Sequence, residues 1–424
     1  MLDLKWIVFI IFLITYLFII FFYTKKSIIV WLAVGIVLLF GILKPSQVIG
    51  IVDWNVILLY FGMLVVSEVF LFSKMPNYLA DIFASKAKSA GIAMLIICVF
   101  TGALSIFLEN VAIVLLVAPV AFSISEKMKV NPIMLFIGMA LSSNLQGAAT
   151  LIGDPPSMLL AGFAKLSFND FFFVNGKPSI FFAVQMGAIV SLVILYFFFR
   201  KHKQPLPKIE REKYLSIIPT VLVVLLILSL ICASFFDFKI KCVNGIITVV
   251  FGFFSFVWFI FNKREKEVKH FVKELDWQTG LFLIGIFILV GSLSASGILE
   301  DAAKLILKIG GGNTFLIFMI IVWMSVLLSA FVDNVPFLVA MLPVTQVITE
   351  NLGASKYLFF FGLLIGASVG GNITPIGASA NIVAVGLLKK KGYNVKFMDF
   401  VKVGLPFTIA AVAASSLFLW VIFG

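Results

Sequence analysis

Apolar runs of bilayer-spanning length recur along the whole sequence and limit what it can fold into. The first two runs cover 6–23 and 27–43, and similar runs follow to the end of the chain. A membrane-spanning helix needs about 20 mostly apolar residues. Hydrophobic residues make up 62% of the chain and charged residues only 12%, an excess that no soluble core could absorb. The sequence therefore predicts an all-α membrane protein, whose first run is a retained helix rather than a cleaved signal peptide.

The basic residues lie in short loops between the apolar runs, although the formal net charge is +12. No basic tail and no basic patch with interleaved aromatic residues is present. This pattern favours charge that sets membrane topology over a nucleic-acid partner. Both histidines, His202 and His270, also fall in basic loops. A membrane-embedded enzyme that uses histidine as a metal ligand or base within the spans is therefore disfavoured.

The sequence repeats itself at an offset of 224 residues. Asn110-Val111 matches Asn334-Val335, Thr150 matches Thr374, and Glu109 corresponds to Asp333. Apolar sequences match by chance at Leu or Ile, but not repeatedly at Asn, Pro, Thr and Gly. The offset therefore indicates an internal duplication of the kind found in secondary transporters.

Each half has the same predicted series of segments. Repeat 1 is predicted to occupy 1–199, with scaffold helices in 6–72, a hairpin at 91–125, a broken helix at 133–162 and a helix at 178–199. A cytoplasmic linker follows at 200–213. Repeat 2 is predicted to occupy 214–424, with scaffold helices in 214–296, a hairpin at 314–348, a broken helix at 358–388 and a helix at 403–423. Amphipathic surface segments precede the hairpins at 75–89 and 299–309.

The predicted fold has two inverted-topology repeats with about ten transmembrane helices, two re-entrant helical hairpins and two unwound helices. Lys and Arg number 32, and this topology places most of them on one side, which the positive-inside rule makes cytoplasmic. Both termini are then extracytoplasmic, and the protein is expected in the plasma (inner) membrane. Two full crossings in place of each hairpin would give the same sides. The hairpin prediction rests instead on the short apolar length before each polar break.

Ionisable residues within apolar segments are rare and indicate function. A charge near the bilayer centre costs about 2.5–3.5 kcal/mol on insertion scales, so Glu109, Asp154 and Asp333 are candidates for ion binding. Gly153-Asp154-Pro155-Pro156 cannot continue a helix, because proline lacks the amide donor and restricts the residue before it. Unwound backbone at this depth is tolerated where it lines a cavity. The predicted site residues are Glu109, Asn110, Asn144, Thr150, Gly153, Asp154, Asp333, Asn334, Asn372, Thr374, Gly377, Ser379 and Asn381.

These motifs resemble the ion transporter superfamily, which includes arsenite permeases, sodium–proton antiporters, sodium-coupled carboxylate carriers and the melanosomal P protein. The resemblance rests on A-T-L-I-G-D-P-P at 149–156, F-V-D-N-V-P at 331–336, I-G-A-S-A-N at 376–381, Asn144, and Gly370-Gly371-Asn372. It is greatest for the P-protein-like and arsenite-permease-like branch and covers nearly the whole chain. It implies hairpin tips that meet unwound helices at the substrate site, homodimers, and a transport domain that moves against a scaffold.

Departures from the family pattern make the two halves unequal. Glu109 stands where aspartate is usual, Ala112-Ile113 replaces a hydroxyl-rich pair, and Ser157 replaces asparagine. The first half is therefore poorer in oxygen ligands. This difference predicts one principal ion site, biased toward the second half, with Asp333, Asn334 and Asn372 as a possible sodium site and no other cofactor.

The acidic tips favour sodium- or proton-coupled secondary transport by alternating access. No Lys or Arg lies in the tips or breaks, which favours an inorganic ion or oxyanion, as in arsenite or antimonite export or sodium–proton exchange. A sodium- or proton-coupled citrate or dicarboxylate symporter is the alternative. A channel or a membrane-embedded enzyme is more distant, because neither requires two related half-sites with broken helices. The expected partners are a small ion or anion, the lipid bilayer and a second copy of the chain.

Overall fold

The computed structural model describes residues 4–22, 25–205, 213–236, 242–262 and 265–424. Within these residues the protein is almost entirely helical, and eight helices are long and apolar enough to cross a membrane. This confirms the predicted helical, multi-pass membrane protein. The inverted orientation of the halves and the re-entrant path of the hairpins stay predictions.

The first half contains ten α-helices and one short hairpin of strands among the described residues. The helices are α1 (Leu4–Phe21), α2 (Lys26–Leu39), α3 (Pro45–Ile51), α4 (Trp54–Phe72), α5 (Met75–Ala84), α6 (Ala90–Ser105), α7 (Asn110–Lys127), α8 (Ile133–Gly147), α9 (Pro155–Ala164) and α10 (Ile180–Phe199). Strands β1 (Phe173–Val174) and β2 (Lys177–Pro178) pair antiparallel between α9 and α10.

The second half repeats this order without the strands in the part of it that the structure describes. Its helices are α11 (Ile218–Ala233), α12 (Val243–Asn262), α13 (Glu265–Glu274), α14 (Trp277–Ser296), α15 (Ile298–Gly310), α16 (Thr314–Ser329), α17 (Asn334–Leu352), α18 (Lys356–Gly370), α19 (Ser379–Lys390) and α20 (Phe397–Phe423). A 3-10 turn at Gly371–Ile373 follows α18.

The helices stop where the polar sequence breaks predict. α6 ends at Ser105 and α7 begins after Glu109, while α8 ends at Gly147 and α9 begins at Pro155. Proline is well suited to the first turn of a helix, which explains the restart at Pro155. The sequence patterns did not reveal α3, α13 or the strand hairpin, because these elements are too short or too polar to show a bilayer-length apolar run.

Helices α4 and α12 are in direct backbone contact along a seam of small residues. A Cβ placed on Gly62 would lie 2.4 Å from the Thr248 carbonyl carbon, and one on Gly252 would lie 3.1 Å from the Gly62 oxygen. Without a hydrophobic driving force between helices in lipid, such close packing is a main source of association. α4 and α12 therefore form one tightly packed unit of the predicted scaffold.

Several contacts join loops and helix ends that the charge distribution assigns to the same side. The Ala90 amide donates to the Gln204 oxygen over 2.9 Å, and the Gly91 amide donates to the His202 oxygen over 2.8 Å. Before the start of α10, the Lys177 ammonium donates to the Ile422 oxygen near the end of α20 over 2.9 Å. The grouping of the loops on two sides and the choice of the cytoplasmic face stay predictions.

Candidate ion and substrate site

Four of the predicted site residues form a buried amide cluster where the two halves meet. Asn144, near the end of α8, donates to the side-chain oxygens of Asn372 and Asn381 over 2.8 and 2.9 Å. The Asn110 amide in turn donates to the Asn144 oxygen over 3.0 Å. All four side chains are at most 8% exposed. Buried amides require partners, and here the hairpin break and the helix breaks supply them to each other.

Each unwound segment is bonded to a hairpin tip by a threonine. The Thr150 hydroxyl donates to the Ile106 oxygen, and the Thr374 hydroxyl donates to the Ala330 oxygen. Both bonds span 44 residues, so they correspond to each other at the sequence offset of the duplication. The tips are therefore held by equivalent contacts, although the residues around them differ.

The predicted glycines allow the backbone to approach itself closely at each break. A Cβ on Gly153 would lie 2.4 Å from the Gly147 oxygen, and one on Gly377 would lie 2.5 Å from the Gly371 oxygen. A side chain at either position would collide with backbone atoms, which shift less readily than the end of a flexible side chain. Gly153 and Gly377 therefore shape the breaks, and no ligand role is needed to explain them.

All three predicted acids cap the first turn of a helix. Glu109 accepts from the Ala112 amide over 2.8 Å, Asp154 from the Ser157 amide over 2.9 Å and Asp333 from the Val335 amide over 3.3 Å. A helix N-terminus carries bare N–H groups and partial positive charge, which stabilises a carboxylate. Each acid therefore stabilises the start of a helix, whether or not it also binds an ion.

Asp154 caps α9 with only one of its two carboxylate oxygens, Oδ1. Its Oδ2 accepts no hydrogen bond from the described residues, and the same is true of the neighbouring Ser368 hydroxyl, although both side chains are only 1% exposed. Ser368 lies on α18 in the second half, close to the Asp154 side chain across the boundary. A carboxylate and a hydroxyl oxygen are ligands suited to a proton or a hard cation such as sodium.

Around the second break, amide side chains take the positions that correspond to Ser157 and Ser368 around the first break. At the sequence offset, Ser157 corresponds to Asn381, Ser368 to Asn144 and Asp154 to Ala378. Ser157 donates to the Gly147 oxygen over 3.3 Å, just as Asn381 donates to the Gly371 oxygen over 2.9 Å. The first half thus has an acid where the second half has a closed amide cluster. Oxygen ligands are therefore not confined to the second half, and the single principal site stays a prediction.

Asp333 at the second tip forms a salt bridge with a lysine of the first half. The Lys26 Nζ lies 2.8 Å from the Asp333 Oδ2, and the two side chains are 10% and 6% exposed. The sequence places Lys26 in a loop between the first two helices, whereas the structure makes it the first residue of α2. No Lys or Arg lies within the tips themselves, but folding brings Lys26 from the first half to the second tip.

The first tip has different neighbours. Glu109 is within electrostatic range of two other acids, Glu68 on α4 and Asp276 at the start of α14.

Two further predicted site residues begin helices of the second half. Asn334 is the first residue of α17, next to Asp333, and Ser379 is the first residue of α19. The possible sodium set of Asp333, Asn334 and Asn372 stays a prediction. In the structure Asp333 contacts Lys26, and Asn372 belongs to the amide cluster.

The predicted site residues did not include Lys26, Ser368 or Ser143. Ser368 could have been found, because it occupies the duplicated position of Asn144. Ser143 supports the first tip by donating to the Asn110 oxygen over 3.2 Å, and its hydroxyl lies 2.6 Å from that of Ser105. Lys26 carries no such signal, since nothing in the sequence relates it to a residue 307 positions away.

The family of the chain follows from comparison with known proteins. The model of the citrate transporter family, CitMHS, matches residues 7–344 and 256–424, so the chain belongs to this family. An uncharacterized transporter of Mycobacterium tuberculosis is 29% identical over 376 residues, which cover 87% of this chain and 86% of that protein. The chain is thus a membrane transporter.

Two further similarities support this assignment. The P protein of Homo sapiens is 25% identical over 458 residues, covering 89% of this chain and 55% of its own. The crystal structure of the Alcanivorax borkumensis YdaH transporter matches 89% of this chain and 87% of its own, with a TM-score of 0.57 and 13% identity. At that identity the match shows a common fold. The predicted resemblance to P-protein-like transporters is confirmed, whereas the arsenite permease and antiporter assignments stay predictions.

Proposed function

We propose that this CitMHS-family transporter is an ion-coupled secondary active transporter that uses protons or sodium to move an inorganic ion or oxyanion by alternating access. Arsenite or antimonite export and sodium–proton exchange are its concrete forms. The observation that carries the proposal is the buried carboxylate of Asp333 at the break between α16 and α17. A charge placed within an apolar hairpin is costly and is normally retained where it serves an ion pathway.

The arrangement of the three acids supports coupling at more than one point. Asp333 and Glu109 cap the helices that begin at the two tips, and Asp154 caps the helix that begins at the first break. The free Oδ2 of Asp154 and the Ser368 hydroxyl offer two oxygens for a cation. In this proposal Asp333 and Glu109 exchange protons or bind sodium, and the amide cluster shapes the substrate site.

The charge around the centre favours a small solute of low charge. Glu109, Asp154 and Asp333 would repel a trianion unless cations accompanied it. The cation that the structure places there, Lys26, is already paired with Asp333. Neutral inorganic acids and monovalent ions therefore fit the described residues better than a multiply charged organic anion.

A sodium- or proton-coupled citrate or dicarboxylate symporter is the second candidate. The family model is described as a citrate transporter, and that description favours a carboxylate substrate. The helix N-termini at Asn110, Pro155, Asn334 and Ser379 could receive carboxylate groups if coupling cations neutralise the neighbouring acids.

Flux through purified protein in proteoliposomes tests the proposal. Asp333→Asn should abolish proton- or sodium-driven uptake or release of arsenite, antimonite or sodium, while an asparagine N-cap keeps α17 intact. Glu300→Gln removes an exposed acid on α15 and should leave flux unchanged. Unchanged flux in Asp333→Asn would refute the role of Asp333. Uptake of citrate or succinate, with no response to arsenite or antimonite, would select the second candidate.

We further propose that the transporter works as a homodimer in the plasma membrane, with both termini outside. Large apolar side chains are exposed along α1, α10 and α12, as expected for surfaces that face lipid or a second copy. Mass measurement in nanodiscs tests the dimer. Protease access to a tag placed before Met1, in intact cells, tests the orientation.

A further inference from the structure

The salt bridge between Lys26 and Asp333 connects the predicted scaffold to a hairpin tip. Lys26 begins α2, and Asp333 is the last residue before α17. Both carboxylate oxygens of Asp333 are engaged: Oδ2 accepts from Lys26 over 2.8 Å, and Oδ1 accepts from the Val335 amide over 3.3 Å. A cation that binds this carboxylate must therefore either displace Lys26 or share the carboxylate charge with it.

The Lys26 ammonium is largely buried and lies next to an aromatic ring. Its nitrogen lies 4.8 Å from the centre of the Phe282 ring on α14, and α2 packs along α14. The Trp31 indole, one turn further along α2, donates to the Leu281 oxygen over 3.0 Å. The start of α2 is thus fixed against α14, while Asp333 belongs to a different pair of helices.

Two titratable groups and one aromatic ring are placed around this salt bridge among the described residues. Lys26 on α2 is the partner of Asp333, and Tyr16 on α1 is within electrostatic range of the same carboxylate. On α14 the neighbour is the uncharged Phe282. When one partner of a buried ion pair is lost, the other is left as an uncompensated charge, which is strongly unfavourable.

We infer that Lys26 is an internal counter-cation of Asp333 that competes with the transported coupling cation for this carboxylate. The inference rests on the proposed role of Asp333 in ion coupling. Without an external cation the ammonium neutralises Asp333 and holds the tip against α2. A proton or sodium ion that neutralises Asp333 removes the reason for this contact.

Displacement of Lys26 would link cation binding to movement. Once Asp333 carries a proton or sodium ion, the salt bridge no longer holds the α16–α17 tip to α2. The tip can then move with the helix breaks, to which Thr374 bonds it. Lys26 would thus act as a coupling residue through its contact with Asp333.

Competition predicts a measurable change in cation affinity when Lys26 is neutralised. The midpoint of thermal stabilisation is measured for the full-length protein in detergent, with sodium chloride against choline chloride and as a function of pH. Lys26→Gln should shift the midpoint toward tighter binding by about tenfold, a usual size for a coupling between two ligands. Lys25→Gln, at the neighbouring exposed position, should match the wild type.

Three further variants separate this inference from its foundation. Lys26→Arg keeps the charge and should keep the wild-type midpoint. Asp333→Asn, alone or with Lys26→Gln, should remove the Asp333-linked response, and the double variant should regain stability because neither charge is left alone. If Asp333→Asn retained the full response, the proposed function would fail.

If Asp333→Asn removed the response but Lys26→Gln kept the wild-type midpoint, only the competition would be overturned. Should Lys26→Gln alone fail to fold, hydrogen–deuterium exchange of the wild type gives the answer. Sodium or acid should then increase exchange of the amides in 330–335. Unchanged exchange in a protein whose thermal stability responds to that cation would refute displacement.

Discussion

Asn144 and Asn372, which lie 228 residues apart in the chain, are joined by a 2.8 Å side-chain hydrogen bond in the buried centre of the protein. Asn372 also donates to the Leu141 oxygen over 3.0 Å, so each asparagine holds the helix end of the other half. The two breaks are thereby fixed relative to each other. Their positions do not depend on apolar packing alone, which would tolerate sliding.

Removal of Asn144 should destabilise the protein more than removal of a surface asparagine. Asn144→Ala leaves the buried oxygens of Asn372 and Asn381 without their donor, and each unsatisfied buried group costs about 1–3 kcal/mol. Asn351→Ala, on the exposed face of α17, is the matched control. Thermal unfolding in detergent should show a clearly lower Tm for Asn144→Ala alone. Equal Tm values would mean that the amide cluster contributes nothing to holding the halves together.

Each threonine contact should stabilise only the hairpin tip to which it is bonded. Thr150→Val and Thr374→Val keep the side-chain shape but leave the carbonyl groups of Ile106 and Ala330 without their donors, at about 1–3 kcal/mol each. We expect slower flux and faster hydrogen–deuterium exchange, confined to the tip whose threonine is changed. Thr150→Ser and Thr374→Ser keep the hydroxyl and serve as controls. Exchange that rises equally at both tips would contradict separate anchoring.

The charge of Asp154 can be separated from its capping role. Asparagine caps a helix about as well as aspartate, whereas alanine costs about 1 kcal/mol. Asp154→Asn should therefore keep most of the stability but lose ion-driven flux, whereas Asp154→Ala should lose both. The measurements are Tm and flux in proteoliposomes. Normal flux in Asp154→Asn would show that the free carboxylate oxygen has no part in coupling.

Removal of the Ser368 hydroxyl tests the second oxygen of this pair. If the hydroxyl and Asp154 share a cation, Ser368→Ala should weaken the sodium or proton dependence of flux. Ser325→Ala removes another buried hydroxyl, one that donates to the Ile321 oxygen of its own helix, and should leave the dependence unchanged. Identical ion dependence in Ser368→Ala and Ser325→Ala would exclude Ser368 as a ligand.

A methyl group at Gly153 should prevent the first break from forming. Its Cβ would lie 2.4 Å from the Gly147 oxygen, and both groups belong to a tightly packed backbone. Gly386→Ala, on α19, meets no atom within 4 Å and replaces a helical glycine, so it should be neutral or slightly stabilising. We expect little folded protein from Gly153→Ala by size-exclusion chromatography and normal yield from Gly386→Ala. Comparable yields would show that the break can relax around a side chain.

Much of the helical framework could be predicted because membrane insertion imposes strong rules on sequence. The apolar run at 178–199 predicted α10, Ile180–Phe199, nearly to the residue, and Pro155 marked the point where a helix begins again after the first break. The sequence offset also pointed to Asn110, and the family motifs pointed to Asn144, Asn372 and Asn381; the structure brings these four residues into one cluster. Such signals are local or repeated, and both kinds can be recognised in a single chain.

The partners of the acids could not be predicted in the same way. Lys26 lies at the edge of an apolar run, where a lysine ordinarily marks a loop, and only the packing of α2 against α14 takes it to Asp333. The free oxygen of Asp154 likewise depends on which side chains fold around it. Electrostatic partners across long sequence separations require the tertiary structure.

The amide cluster has a consequence for the history of the duplication. Asn144, Asn372 and Asn381 correspond at the offset to Ser368, Ala148 and Ser157, so neither half contains both partners of the hydrogen bonds that join Asn144 to Asn372 and Asn381. Two copies of the first half would set Asn144 against alanine and serine, and two copies of the second would set Asn372 and Asn381 against serine. The halves have thus become dependent on each other. A chain assembled from two copies of either half would lack the buried hydrogen bonds that join the two breaks of the present molecule.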